Sequence, residues 1–272
     1  MDFIEIIKAI ILGIVQGITE WLPISSTGHL ILVEDFMSFR LSPVFINTFF
    51  VVIQFGSILA VVVLYFAKLN PFHRDKRPKE RRETLVLWFK IALASIPAAI
   101  IGFLFEDVID RALYNPTTVA IALIVYGILF IIIENRRKPS RINHLGDVSY
   151  MTALGIGLFQ VLALVPGTSR SGSTILGAVL LGTSRTIAAE FSFFLAIPVM
   201  VGASGLKLVR AGFAFSGFEW LVLAIGSVVA FLVSVAAIKF LLSYIKRNDF
   251  KAFGYYRIVL GILLLAYFIF IR

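Results

Sequence analysis

Six stretches of this chain are apolar for long enough to cross a lipid bilayer, and little else they could form is compatible with that length. The runs 49–67, 85–105, 117–133, 191–209, 220–242 and 254–271 each hold about 17–23 residues, as a helix needs to cross a hydrocarbon core of roughly 30 Å. Inside lipid the backbone must satisfy its own hydrogen bonds, so such runs are helices. The expected fold is therefore an all-α polytopic membrane protein with six transmembrane helices. A 59% hydrophobic content and a mean hydropathy of +0.95 exclude an ordinary soluble domain. The start, Met1-Asp2-Phe3-Ile4-Glu5, lacks a basic n-region, so no cleaved signal peptide is expected. With no cysteine in the chain, disulfides, thiolate catalysis and cysteine-ligated metals are excluded.

The net charge of +9 is not spread evenly. Eight of the 25 Lys and Arg residues lie between Lys68 and Lys90, and four more lie between Arg136 and Arg141. A third group is Lys246, Arg247, Lys251 and Arg257. All three groups are read as short connections between spans, which the positive-inside bias places in the cytoplasm. The basic balance therefore reports topology and contact with anionic lipid, and no nucleic-acid partner is expected. An acidic turn at Glu106, Asp107 and Asp110 falls on the outer side of this map. Three spans in each half is an odd number, so the halves must have opposite orientation.

Two segments do not read as simple spans. The first runs Gln16-Gly17-Ile18-Thr19-Glu20-Trp21-Leu22-Pro23-Ile24-Ser25-Ser26-Thr27-Gly28-His29, and the second Gln160-Val161-Leu162-Ala163-Leu164-Val165-Pro166-Gly167-Thr168-Ser169-Arg170-Ser171-Gly172. Each is an apolar helical run that stops at proline and spills into hydroxyl residues. Ala9, Gly13 and Gln16 recur at an offset of 144 as Ala153, Gly157 and Gln160, and Pro23, Ser26 and Gly28 have counterparts in Pro166, Ser169 and Gly172 with a small slip in spacing. Weak repeats with broken apolar segments at matching places are the mark of an inverted repeat. We expect a single membrane domain over 1–272, with repeat one at about 1–147 and repeat two at about 148–272. Each repeat carries a re-entrant helical hairpin, at about 8–33 and 152–184, and the hairpin tips are expected to meet mid-membrane.

The polar residues of the breaks are expensive in lipid and mark function. Gln16 and Glu20 lie four apart, on one helix face, and their oxygens suit a hard cation, Mg²⁺ or Ca²⁺. Ser25, Ser26, Thr27 and Gly28, with Thr168, Ser169, Ser171 and Gly172, supply hydroxyls and small residues before a helix start. Such a place is suited to an anion, although the hydroxyls would also serve as plain N-caps. Arg170 adds a planar fork of donors for phosphate oxygens, with a structural ion pair to Glu20 as the competing reading. His29 is the one histidine away from the basic connections that hold His73 and His144, and it is a candidate acid–base group. Glu190, beside Ser192, is either a further polar contributor or an interfacial residue. Hard cation, anion nest, arginine and acid–base group together describe phosphoryl chemistry on a lipid that delivers its headgroup from the bilayer.

The motifs Gln16-x-x-x-Glu20, Pro23-Ile24-Ser25-Ser26-Thr27-Gly28-His29 and Pro166-Gly167-Thr168-Ser169-Arg170-Ser171-Gly172 closely resemble those of the bacterial undecaprenyl-diphosphate phosphatases, the bacitracin-resistance family. The resemblance spans essentially the whole chain. It implies a multi-pass bacterial plasma-membrane enzyme that hydrolyses undecaprenyl diphosphate to the monophosphate and recycles the lipid carrier for wall polymers. It also implies divalent-metal dependence and an active site open to the outer face. By position, Glu20 and Gln16 match the acidic motif as metal ligands, Ser26 and His29 the Ser-Ser-x-Gly-His motif, and Arg170 the phosphate-binding arginine. The family often has Glu where this chain has Gln16, which leaves Glu20 the more important candidate ligand. Catalytic roles are expected for Ser26 as nucleophile, His29 as acid–base, Glu20 and Arg170. Substrate contacts are expected from Ser25, Thr27, Gly28, Thr168, Ser169, Arg170, Ser171 and Gly172. Membrane lipids are expected partners, and a homodimer is a further expectation. The alternative is a polyprenyl-phosphate flippase or transporter, since inverted repeats with midplane breaks are also transporter architecture.

Overall fold

The computed structural model describes residues 2–37, 39–136 and 139–270. In chain order the helices are α1 (Asp2–Thr19), α2 (Ser26–Phe36), α3 (Pro43–Leu64), the single turn α4 (Phe66–Leu69), α5 (Pro78–Leu113) and α6 (Pro116–Asn135). They continue with α7 (Tyr150–Val161), α8 (Arg170–Leu180), α9 (Arg185–Arg210), α10 (Gly217–Ile245) and α11 (Lys251–Phe270). Among the described residues extended pairing is limited to one isolated bridge, Ile142 with Thr183. The helices α3, α5, α6, α9, α10 and α11 are long and apolar enough to cross a membrane, so this is a polytopic helical membrane protein.

The helix starts are written in local chemistry. Ser42 caps α3 by accepting from the Phe45 N–H at 3.3 Å, and Asn115 caps α6 by accepting from the Thr118 N–H at 2.9 Å. In both, proline follows at the first helical position, where its missing N–H costs nothing. Ser216 and Glu219 form a reciprocal capping box at the start of α10, and Glu219 also accepts from Ser42 at 2.6 Å, tying the starts of α3 and α10 together. The spans overrun the apolar stretches: α5 continues to Leu113, so the acidic turn expected around Asp107 is helix. The Glu106 and Asp110 side chains, like Arg137 and Lys138 of the second basic connection, lie outside the described residues.

Apolar side chains fill the interior and also cover the outside. Trp21, Phe130, Phe191, Phe193 and Phe194 are fully buried in the largest cluster, while Phe103, Leu104, Val228 and Leu263 stay exposed, as a lipid-facing surface requires. Lipid tails are as apolar as leucine, so helix association rests on close van der Waals fit and small residues. The α6–α11 crossing shows it: a Cβ on Gly127 would lie 2.7 Å from the Gly254 carbonyl oxygen, and one on Gly254 would lie 2.7 Å from that of Gly127. Gly254→Val should destabilise the fold by about 1–3 kcal/mol through overpacking. It would be seen as a lower unfolding temperature in detergent; an unchanged melt would refute the tight crossing.

At the basic end, Arg185 grips Glu134 with two bonds, 2.9 and 2.6 Å, and Glu134 accepts from the Phe250 N–H at 3.2 Å. This joins α6, α9 and the α10–α11 turn. Lys68 pairs with Glu190 at 2.7 Å, so Glu190 is committed to a cation at the span's end and is no part of the broken-helix centre.

Candidate active site

Both breaks solve the same backbone problem in the same way. α1 ends as Thr19 turns its hydroxyl back to the Val15 carbonyl at 2.7 Å, and Pro23 prevents resumption of the helix. α7 ends at Val161, tightens through a 3₁₀ turn over Leu162–Leu164 and meets Pro166. The next helices then start at serines with left-handed backbone, Ser25 at φ 74 and Ser169 at φ 72. Ser25 accepts from the Gly28 N–H at 3.4 Å, and Ser169 accepts from the Gly172 N–H at 3.1 Å. A non-glycine residue at positive φ costs about 1–3 kcal/mol and persists where surroundings impose it, often at functional sites.

This geometry pairs the two breaks differently from their sequence spacing. Ser25, not Ser26, is the counterpart of Ser169, and Ser26 and Arg170 are each the first helical residue after a break. The second copy has one more residue between proline and cap, and Gly167 absorbs it at φ +89. A Cβ there would collide with the Val119 backbone, so this position requires glycine.

The two breaks converge on the Glu20 carboxylate. Arg170 Nη2 donates to Glu20 Oε1 at 3.2 Å, while Gln16 Nε2 and Ser26 Oγ donate to Oε2 at 2.9 and 3.1 Å. Arg170 Nη1 donates to the Ser192 carbonyl at 2.8 Å, the guanidinium lies 5.6 Å from the Trp21 ring centroid, and its Nε is buried with no partner. Thr174 and Ser192 share a 2.6 Å hydroxyl contact beneath it. Ser192 thus fixes the fork from α9, a role its sequence neighbourhood did not signal. Ser171 spends its hydroxyl on the Glu20 carbonyl at 3.0 Å and is fully buried, so it braces one break against the other rather than facing a ligand.

Beneath the breaks lies a residue whose expected place was wrong. Arg257 had been grouped with a basic connection; it sits inside α11 with 0% exposure. Its Nη1 donates to the Pro23 carbonyl at 3.2 Å, and its Nη2 to the Gly167 and Thr168 carbonyls at 2.9 Å each. Broken helices leave carbonyls without intrahelical donors, and one guanidinium serves both breaks at once. No carboxylate pairs with it among the described residues. Its place inside the 254–271 run was the available signal, since an ionisable residue there is functional by default.

At the partly open rim stand Ser26, Thr27 and His29. His29 Nδ1 lies 2.7 Å from the Ser25 carbonyl, which can only accept, so Nδ1 carries the proton. Nε2 then accepts from the Tyr256 hydroxyl at 2.6 Å. Both ring nitrogens are therefore engaged away from Ser26, whose hydroxyl goes to Glu20. Tyr256 is a second site-flanking residue that the motifs did not reveal.

The arrangement suits a phosphate-bearing ligand. α2 and α8 begin at Ser26 and Arg170, and the side chains of these two first residues meet at the Glu20 carboxylate; the beginning of a helix is the end that favours anions. A hydroxyl hydrogen-bonded to a carboxylate is a nucleophile beside a base. For a hard cation the donor set offers Glu20, the Ser26 hydroxyl and Gln16 Oε1, which is buried without a partner. No cluster of three acidic or histidine groups exists among the described residues. Such a site fits a Mg²⁺-like ion that takes one carboxylate and completes its shell from phosphate oxygens and water.

A family model described as "Bacitracin resistance protein BacA" matches residues 9–263. The chain is 65% identical over 267 residues to "Undecaprenyl-diphosphatase 1" of Clostridioides difficile, covering 98% of this chain and 97% of that one. It is 61% identical over 271 residues to "Undecaprenyl-diphosphatase" of Acetivibrio thermocellus, covering 99% and 100%. The identity is 59% over 271 residues to "Undecaprenyl-diphosphatase" of Desulfitobacterium hafniense, covering 98% of each.

Proposed function

The chain belongs to the bacitracin resistance protein BacA family, and from that premise we propose an integral-membrane phosphatase that hydrolyses undecaprenyl diphosphate to undecaprenyl phosphate and inorganic phosphate. The observation that carries the chemistry is the convergence of Ser26, Glu20 and Arg170, one hydroxyl and one guanidinium on one carboxylate, from two breaks far apart in sequence. Relatives bearing the diphosphatase name support the substrate, and they offer the flippase alternative no support.

In the proposed reaction Ser26 Oγ attacks the terminal phosphorus, and its proton passes to Glu20 Oε2. The anhydride P–O bond breaks, and undecaprenyl phosphate leaves. Water then attacks the phosphoserine and passes a proton to His29; the P–Oγ bond breaks, Ser26 Oγ takes back the proton held by Glu20, and inorganic phosphate leaves. Arg170 and the starts of α2 and α8 stabilise the charge on the equatorial oxygens. His29 is the acid–base group for the water step, its Nε2 exchanging the Tyr256 hydroxyl for the attacking water. Thr27 and the N–H groups at the helix starts hold the second phosphate. Glu20 and Gln16 would hold a divalent cation, which supplies neutralisation of the diphosphate charge.

The finer architecture is part of the same proposal. Gly13 lets α1 meet the α10 backbone, and Gly157, its partner at the repeat offset, lets α7 meet the α5 backbone. That correspondence supports an inverted repeat with two re-entrant hairpins. The start of α3, to which α2 leads, lies beside the start of α10, while the basic Lys68 follows the other end of α3. With the positive-inside bias, this supports a site mouth on the outer side of the bacterial plasma membrane. Purified protein should release phosphate from undecaprenyl diphosphate and stop when a chelator is added. Release that continues undiminished with chelator would remove the cation from the proposal; no release from the intact protein would remove the phosphatase.

A further inference from the structure

α11 touches the first broken segment twice, through consecutive residues. Arg257 Nη1 donates to the Pro23 carbonyl at 3.2 Å, and the Tyr256 hydroxyl donates to His29 Nε2 at 2.6 Å. The two side chains are placed differently. Arg257 is fully buried, whereas Tyr256 is 46% exposed. Arg257 therefore ties the α11 backbone to both breaks, while the Tyr256 phenol stands at the open rim, where it has room to turn.

The imidazole keeps its tautomer without the phenol. His29 Nδ1 donates to the Ser25 carbonyl at 2.7 Å, which orients the ring and leaves the lone pair on Nε2. The Tyr256 hydroxyl thus covers the lone pair that the water step uses, and it gives up that bond in every turnover. A hydroxyl that loses its acceptor in such a site needs another in its place.

In-line displacement says where the new acceptor lies. Ser26 Oγ and the leaving oxygen take opposite sides of the terminal phosphorus. The water that later attacks the phosphoserine enters from the side the leaving phosphate has vacated. His29, as the base for that water, stands on the leaving side, and Tyr256 stands there with it. The phosphate that carries the prenyl ester occupies this place before the water does, and its charged oxygens are strong acceptors.

We propose that Tyr256 binds the ester-side phosphate of the lipid diphosphate, its hydroxyl turning from His29 to that phosphate and so uncovering Nε2 for the water step. This rests on the phosphatase reading and adds to it a donor from α11 for the phosphate that Thr27 meets from α2. The same bond stabilises the charge that grows on the leaving phosphate as the anhydride P–O bond breaks.

The test compares the wild type, Tyr256→Phe and Tyr255→Phe, each purified at full length in detergent. Phosphate release from undecaprenyl diphosphate is measured, together with inhibition by each product. Tyr256→Phe keeps the ring that stacks within 5° of the imidazole plane and removes only the donor. It should lower kcat/KM about tenfold and raise the inhibition constant of undecaprenyl phosphate by a similar factor. The inhibition constant of inorganic phosphate, which takes the terminal place, should stay at the wild-type value. Tyr255→Phe, at an exposed neighbour, should match the wild type throughout. If Tyr256→Phe shifts both inhibition constants alike, or neither, Tyr256 does not hold the ester-side phosphate. If the wild type releases no phosphate, the phosphatase reading falls first. Direct binding of undecaprenyl phosphate then decides the contact: weaker binding to Tyr256→Phe upholds it, and equal binding overturns it.

Discussion

Arg170→Ala should lower phosphate release from undecaprenyl diphosphate by about 10³-fold, within the range for losing a charged donor to a phosphoryl-transfer transition state. The structure says why so much rests on one side chain. Arg170 is the first residue of α8, so the guanidinium and the positive helix end act at the same point. Its fork reaches Glu20 and the Ser192 carbonyl together, while its Nε is buried without a hydrogen-bond partner. The same substitution strands a buried carboxylate, a change that typically costs about 3–5 kcal/mol, so rate and stability must be measured together. Arg170→Lys separates them. It keeps the charge near Glu20 and should recover most of the unfolding temperature, but a point charge cannot span both partners, and the rate should stay at least tenfold low. If Arg170→Ala hydrolyses at the wild-type rate, the assignment of this centre is wrong.

The second large effect is expected at a residue outside every motif. Arg257→Met should destabilise the protein by about 1–3 kcal/mol for each carbonyl it leaves unsatisfied and abolish activity in whatever fraction still folds. Three carbonyls from two breaks, at Pro23, Gly167 and Thr168, take their donors from this guanidinium. Pro23, Gly167 and Thr168 are themselves buried, and hydrogen bonds to a charged group are worth about 1.5–3 kcal/mol each. The Tyr126 ring, 5.5 Å from the guanidinium, would lose its cation as well. Arg257→Lys should fold better than Arg257→Met but remain impaired, because an ammonium has no planar fork with which to bridge the two breaks. The checks are unfolding temperature in detergent and kcat on the surviving protein. A wild-type melting temperature for Arg257→Met would show that the breaks hold themselves together.

The contrast between these two arginines shows how far the chain could be read in advance. Arg170 stood inside a proline-broken, hydroxyl-rich segment, where local sequence announces that a charge has a purpose. Arg257 follows Lys251 closely, and a count of basic residues near span ends absorbed it into a connection. Glu20, Gln16 and Ser26 were legible as a cluster because four-residue and break spacings are local. That Ser26 addresses Glu20 while His29 addresses Tyr256 was not legible, since the direction of α2 after the break is set by its packing against α6 and α11. Ser192 and Tyr256 carry no motif at all. Glu190 had the right chemistry in sequence and the wrong place in space, because α9 turns it toward Lys68.

By itself the sequence determined the membrane class, the spans, the two breaks and the inventory of reactive groups. Hydrophobic length, helix-stopping proline and capping serine all act within a few residues, so no distant contact is needed to express them. Only the tertiary structure decided which groups meet. The Glu20–Arg170 bond joins positions 150 residues apart, and the Arg257–Pro23 bond joins positions 234 apart. Contacts of that range are set by helix packing, by small residues such as Gly127 and Gly254 that let backbones approach, and by the left-handed turn at Gly167, where a Cβ would meet the Val119 backbone.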